Sequence, residues 1–273
     1  MSLGFSAIFV RWAAAPGVVS SFYRMAIATV LVAAPFAIRI YQGAWPPWSA
    51  IRLAFLGGIF FAADIAAWAT GVVLSGATNP TLLANTAPLW VGLGTLIFFR
   101  KRLGSGFWIG TVIALLGAGL VLGLERDGQT IGLLLGLLAA VFYAGYFLVT
   151  QLGREKLDSL NYFWLAAMSS AAVLLVFSWG LGQPLTGYPP STYLTFVAMA
   201  VITQILGYFS IIFALGHLPA SIVAPSLLGQ PVITAILAGF LLGEAFSSSQ
   251  ILGGLAVLAG VFVVVRSQGG AAQ

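Results

Sequence analysis

The chain has 273 residues, of which 60% are hydrophobic and only 6% are charged, and its formal net charge at pH 7 is +5. Soluble domains carry about 25% charged residues, so this composition excludes an ordinary soluble globule and favours a chain that spans a lipid bilayer. The basic residues are scattered between apolar runs instead of lying on one face, and we therefore expect the bilayer, not nucleic acid, as a partner.

Ten transmembrane helices are predicted from apolar runs that end at proline, glycine or charge clusters. A helix needs roughly 20 apolar residues to cross the hydrocarbon region. The predicted spans, in chain order, are 3–15, 17–38, 52–74, 79–99, 105–124, 131–152, 160–182, 192–216, 219–242 and 248–266. The first span is short and is interrupted by Arg11, which predicts a truncated first helix whose start is missing from the chain.

The basic residues between the spans predict the orientation of the chain. With the amino terminus in the cytoplasm, the inner loops and the carboxy-terminal end hold eight basic residues, whereas the outer loops hold only one, Arg126. The eight are Arg39, Arg52, Arg100, Lys101, Arg102, Arg154, Lys156 and Arg266. Because basic residues concentrate on the cytoplasmic side, both termini are predicted to be cytoplasmic.

An apolar pattern repeats along the chain at an offset of 143 residues. Within 77–121, seven positions find the same residue type in the second copy without any gap, among them Pro88 and Pro231, Gly110 and Gly253, and Gly117 and Gly260. The repeat divides the chain into two five-helix units, 1–127 and 128–273. Because five is an odd number, the second unit should be inverted relative to the first, which is the arrangement of many alternating-access carriers.

Two segments carry a resemblance to a known family. One runs from Ser75 to Pro88 and is followed by Arg100–Arg102, Gly110 and Gly117; the other contains 214–225, Gln230-Pro231 and Leu242-Gly-Glu244. Both resemble the paired EamA-type units of the drug/metabolite transporter superfamily, and the resemblance covers nearly the whole chain. In the first copy Arg100-Lys101 stands where the second has Gly-Glu. The chain looks most like bacterial exporters of aromatic amino acids and related metabolites, which implies a ten-helix transporter.

Polar and aromatic residues near the middle of the spans are the candidate substrate site. A helix rises about 1.5 Å per residue, so residues about 10–12 positions from a span end lie near the bilayer centre, where polar groups normally face protein or a water-filled cavity. The candidates are Asn85, Trp90, Tyr143, Tyr146, Gln204, Tyr208 and Gln230. Each has a structural alternative, because aromatic rings can serve only as packing residues and buried amides can join helices.

Four further residues inside the spans are singled out. Arg24 and Asp64 are predicted to form an intramembrane ion pair with a structural role, and the alternatives are proton coupling or binding of a substrate carboxylate. Pro88 and Pro231 lie within equivalent spans, and each removes a backbone donor. They are predicted to shape the cavity or to act as hinges.

These features favour a secondary carrier that moves small organic solutes, amino acids including aromatic ones or related metabolites, most naturally outward. The chain has no cysteine and no Gly-x4-Gly-Lys-Ser/Thr motif, so we expect no cofactor, no metal site and no nucleotide site. No protein partner is inferred. A passive channel for the same solutes and, more remotely, a membrane-embedded enzyme are the alternatives, although Asp64 lacks a second acid at the same depth.

Overall fold

The first unit of the chain begins with short helices and continues with long ones. The computed structural model describes residues 2–43, 45–75, 78–122, 130–233, 235–236 and 248–269. A 3-10 turn at Ser2–Phe5 leads into the first helix. The helices of this unit are α1 (Ser6–Ala13), α2 (Gly17–Tyr41), α3 (Trp48–Ser75), α4 (Thr78–Ala84), α5 (Ala87–Phe98) and α6 (Ser105–Leu122).

The described helices after residue 130 complete the bundle. They are α7 (Thr130–Arg154), α8 (Ser159–Gly180), α9 (Pro190–Ala198), a π-helix at Met199–Tyr208, α10 (Phe209–Leu215), α11 (Ala220–Ser226) followed by a 3-10 turn at Leu227–Gly229, and α12 (Ser248–Gly269). The segment from α9 to α10 runs without interruption and forms one membrane-length span, Pro190–Leu215. Leu242-Gly-Glu244 and Arg126 lie outside the described residues.

Eight helical spans in the described part of the chain are long and apolar enough to cross a membrane. Leucine, isoleucine, valine and phenylalanine side chains form much of the exterior of these helices, as expected where the solvent is lipid. The described residues thus form an all-α polytopic bundle, as predicted.

Prolines and one carboxylate define where several helices begin. Three helices, α2, α9 and α11, are directly preceded by a proline, at Pro16, Pro189 and Pro219. Proline is tolerated at a helix start because the backbone donors there have no partner within the helix, so its missing N–H costs no hydrogen bond. Asp158 caps α8, since its side chain accepts hydrogen bonds from the backbone of Leu160 at 2.9 Å and of Asn161 at 3.2 Å.

α6 and α12, which are equivalent helices in the two repeats, form the most extensive helix crossing in the described fold. The crossing is reciprocal: a Cβ added at Gly117 would lie 2.6 Å from the Gly253 carbonyl oxygen, and one at Gly253 would lie 2.6 Å from that of Gly117. Gly110 and Gly260 face each other in the same way. Reciprocal contacts of this kind are those that a two-fold relation between equivalent surfaces produces.

The predicted span 79–99 is not a continuous helix. α4 ends at Ala84, Asn85 and Thr86 form a turn, and α5 begins at Ala87 with Pro88 in its first turn. In the second repeat the 3-10 turn Leu227–Gly229 occupies the equivalent position and Pro231 follows it. Both prolines therefore follow an interruption of the α-helical hydrogen-bonding pattern at equivalent points of the two repeats.

Candidate functional site

A cavity of about 140 Å³ lies between helices from the first 85 residues and helices that follow residue 130. It is lined by Ser6, Val10, Ser21, Arg24, Asp64, Ile65, Trp68, Thr81, Ala84, Asn85, Tyr143, Tyr208 and Gln230. Residues on one helix are spaced three or four apart, so each helix presents one face to the cavity, as with Asp64 and Trp68 on α3. We call this space the central cavity.

Arg24 is the cationic group of the central cavity. Its side chain is 5% exposed, and its guanidinium carbon lies 5.9 Å from the ring centroid of Phe61 and 5.7 Å from that of Tyr208. At these distances the two rings stabilise the cation through their π-electrons. The buried Nε atom of Arg24 has no hydrogen-bond partner. The rings thus hold the guanidinium in place while leaving part of its hydrogen-bonding capacity unused.

Asp64 supplies the negative charge of the same cavity and is 8% exposed. Among the described residues the only ion pair joins Arg39 and Asp158, at 4.0 Å. Arg24 and Asp64 therefore line one cavity without forming a direct ion pair in this conformation. Two opposite charges thus line one cavity, and neither neutralises the other through direct contact.

Uncharged polar groups complete the wall of the central cavity. The Trp68 indole donates a hydrogen bond to the Thr81 hydroxyl at 3.0 Å, which ties α3 to α4 beside the helix break. Asn85 lies in that break, and its buried amide nitrogen has no partner. Gln230 donates to the Leu3 carbonyl at 3.2 Å and so joins the two repeats across the cavity.

Six of the predicted residues meet at this cavity: Arg24, Asp64, Asn85, Tyr143, Tyr208 and Gln230. Trp90, Tyr146 and Gln204 do not line it. Tyr146 is buried against Phe61, with ring centroids 4.8 Å apart, and Gln204 is buried within the π-helix. Trp90 packs against the apolar layer beneath the cavity because the break at 85–86 changes the phase of α5 relative to α4.

Several cavity residues were not among the candidates predicted from the sequence, although they share a helix face with residues that were. Trp68 lies four residues after Asp64, Ser21 three before Arg24, and Thr81 four before Asn85. Residues at these spacings share a helix face, so each belongs beside a residue that the sequence did single out.

An apolar layer closes one side of the central cavity. Trp90, Tyr143 and Tyr208 pack against it, and the two tyrosines also line the cavity. Its buried members come from α5, α7, α10 and α11, and they are Val91, Ala144, Phe147, Leu148, Ile211, Leu215, Ala220, Val223 and Ala224. A solute in the central cavity could not cross this layer without separation of these helices, because interiors packed in this way have few voids larger than water.

Hydrogen bonds join the helices on the side of this layer that faces away from the central cavity. The Gln151 side-chain oxygen accepts a hydrogen bond from the Ala220 backbone at 2.7 Å, which joins α7 to the start of α11. Arg154 Nε donates to the Ile212 carbonyl at 2.9 Å, and another guanidinium nitrogen donates to the Leu157 carbonyl. Gln151 lies eight residues beyond Tyr143, about 12 Å along α7.

A second recess, of about 520 Å³, opens beside these contacts. Its wall includes Lys101, Gln151, Glu155, His217 and Gln268. The central cavity and this recess therefore lie on opposite sides of one apolar layer.

The chain belongs to the EamA-like transporter family, whose model matches residues 1–123 and 130–266. This confirms the family that the paired segments predicted, and it makes the chain a membrane transporter of small solutes, not an enzyme.

Relatives in bacteria and archaea are also transporters by name. An uncharacterized transporter of Archaeoglobus fulgidus is 26% identical over 257 residues, which cover 90% of this chain and 87% of that protein. The uncharacterized transporter YdfC of Bacillus subtilis is 26% identical over 183 residues, 66% of this chain and 60% of that protein, so the matched region spans less than two thirds of its length. A riboflavin transporter of Rhizobium johnstonii is 25% identical over 165 residues, 60% of this chain and 52% of that protein.

A solved crystal structure has the same fold. It superimposes with a TM-score of 0.82 at 16% identity and covers 98% of this chain and 95% of its own.

Proposed function

We propose that the chain is a secondary carrier that moves amino acids, including aromatic ones, or related metabolites by alternating access at the central cavity. The observation that carries the proposal is the unpaired Arg24 and Asp64 in a cavity walled by aromatic and amide side chains from both repeats. Such a wall suits a solute with a polar head and an apolar side chain. Phosphorylated solutes are disfavoured, because a phosphate calls for several cations and the described cavity wall offers Arg24 alone.

The volume of the central cavity supports a small solute. Its 140 Å³ lies below the roughly 300–1,000 Å³ that is usual for drug-sized ligands. An amino acid with a small side chain fits this volume most readily. An aromatic amino acid needs the cavity to widen as the two repeats move.

Alternating access is supported by the layer beneath the cavity and by the crossing of α6 and α12. In the proposed cycle the contacts of Gln151 and Arg154 break and the apolar layer opens towards the 520 Å³ recess. The interruptions beside Pro88 and Pro231 are the proposed hinges, since each lies where a helix already departs from regular hydrogen bonding. The units 1–127 and 128–273 are the proposed moving halves.

The basic loop residues support an orientation with both termini in the cytoplasm of a bacterial cell, so that the recess beside Lys101 faces inward. Outward transport is proposed from the resemblance to bacterial exporters. In that direction the recess would receive the solute and the central cavity would hold it before release.

Substitution of Asn85 by leucine tests whether the central cavity is the transport site. This change removes an unpartnered buried amide from the cavity wall, so the protein should remain folded while transport of amino acids falls at least about tenfold. Thr111→Val is the matched control, since its hydroxyl is also buried without a partner but lies on α6, away from the cavity. Equal transport by both variants would place the site elsewhere.

A further inference from the structure

We propose that Arg24 and Asp64 form two charge-selective subsites and that the ligand of the central cavity carries a carboxylate and an ammonium group at once. The inference rests on the proposed function and deepens it, because it assigns a role to each charge and defines the solute by its charge pattern. The geometry that points to it is a shared cavity wall with no ion pair between the two residues.

Arg24 has the features of a carboxylate subsite. It is nearly fully buried, its Nε atom has no partner, and two aromatic rings fix its position without neutralising its charge. A buried cation is costly unless an anion compensates it. The planar guanidinium matches a carboxylate through two parallel hydrogen bonds, so an α-carboxylate entering the cavity would satisfy the donors that the protein leaves unpaired.

Asp64 is the complementary subsite for an ammonium group. Its carboxylate lines the cavity and belongs to no ion pair. A ligand with a single charge would compensate the charge of one of the two residues and leave the charge of the other uncompensated. A zwitterion compensates both while adding no net charge to the cavity.

The other residues of the cavity wall determine which side chain the ligand can carry. Trp68, Tyr143 and Tyr208 present ring surfaces, and Val10 and Ile65 are aliphatic. An uncharged side chain can pack there, whereas a second anionic group would meet the Asp64 carboxylate. The site thus favours neutral α-amino acids over dicarboxylates and over phosphate esters.

Ligand sets that differ only in charge test the inference on the purified full chain in detergent. The amino acids L-alanine, L-leucine and L-phenylalanine are each compared by calorimetric binding with their amide, which lacks the carboxylate, and with their N-acetyl derivative, which lacks the ammonium group. In the unaltered protein at least one free amino acid should bind roughly 10- to 100-fold more tightly than both of its derivatives. Equal binding within every set, or no binding of any free amino acid, overturns the proposal.

Two variants assign the subsites. Arg24→Gln should abolish the preference for the amino acid over its amide and keep the preference over the N-acetyl derivative, and Asp64→Asn should do the opposite. A purely structural role would weaken all three ligands equally, which contradicts the proposal. Arg39→Gln is the control, since it makes the same change on α2 at a half-exposed residue outside the cavity. If either variant fails to fold, Arg24→Lys or Asp64→Glu replaces it. The comparison of ligands in the unaltered protein still decides whether the cavity selects for both charges.

The proposed function fails in a different way. If proteoliposomes exchange no amino acid, the carrier proposal is wrong. If they exchange amino acids but the amide and N-acetyl derivatives inhibit as strongly as the unlabelled amino acid, only the charge-selective subsites are wrong.

Discussion

Replacing Gly117 by alanine should destabilise the protein, because the α6–α12 crossing has no room for a methyl group. A Cβ at this position would lie 2.6 Å from the Gly253 carbonyl oxygen and 2.7 Å from the Val257 backbone nitrogen, whereas ordinary contact begins at 3.4 Å. Both neighbours are backbone atoms of α12, so the helices must separate along the whole crossing. Overpacking of this kind costs about 1–3 kcal/mol.

Thermal unfolding in detergent, followed by loss of the monodisperse peak in size-exclusion chromatography, measures this cost. A penalty of that size should lower Tm by roughly 2–10 °C. Gly119→Ala is the matched control on the same helix, since its Cβ would meet only the Leu82 Cδ1 atom at 3.6 Å. Gly119→Ala should leave Tm unchanged or raise it slightly, because alanine favours the helix.

The reciprocal geometry adds a second requirement. Gly253→Ala should destabilise to a similar extent, and the double variant Gly117→Ala/Gly253→Ala should lose less than the sum of the two, because either methyl group alone already forces the helices apart. If Gly117→Ala proves as stable as Gly119→Ala, or if the two effects add fully, the described crossing is not the one that the protein uses.

Two further predictions concern orientation and the layer beneath the cavity. In the naturally cysteine-free chain, a single cysteine at Lys101 should resist an impermeant thiol reagent in intact cells while one at Leu185 reacts, and the reverse pattern would overturn the proposed orientation. Gln151→Ala removes the acceptor for the first backbone donor of α11, so amide hydrogen exchange across α10 and α11 should accelerate about fivefold, for a loss of about 1 kcal/mol. Ser226→Ala, which removes only a bond within α11 and its turn, should leave exchange unchanged; equal rates in both variants would show that Gln151 does not hold the layer closed.

The helix bounds followed from the sequence wherever local signals decide them. The predicted spans 17–38, 131–152 and 160–182 agree with α2, α7 and α8 to within three residues at each end. Apolar length is sufficient there together with one local signal at each helix, which is Pro16 before α2, Arg154 at the end of α7 and the Asp158 cap of α8. A membrane helix satisfies its backbone hydrogen bonds internally, so few other constraints act on its length.

Two features of the fold were not predictable from local signals. The turn at Asn85–Thr86 and the π-helix Met199–Tyr208 both lie within stretches that the sequence predicts as single membrane spans. Packing against other helices decides both. A count of residues along an ideal helix therefore predicts a depth for Trp90 but not the face on which its side chain lies. The proline pair indicated where the helices depart from regularity, although not the form that the departure takes.

The candidate site was partly predictable for the same reason. Charged residues inside a span have few places to lie, so Arg24 and Asp64 could be assigned to an internal space from sequence alone. Trp68 lies on the same helix face as Asp64, four residues later, and a count of depth along the span does not reveal this. The separation of Arg24 from Asp64 is a tertiary property: sequence depth made a direct pair feasible, whereas the structure has the two side chains on one wall without contact.

Counterflow in proteoliposomes tests the central claim most directly. Vesicles that contain the purified protein are loaded with an unlabelled amino acid at high concentration and diluted into a trace of the labelled form. A carrier that alternates access at one central cavity should accumulate the label transiently above its external concentration, and Asn85→Leu should abolish this overshoot while Thr111→Val preserves it. Label that only equilibrates, at the same rate with empty and loaded vesicles, would contradict alternating access and identify a passive channel instead.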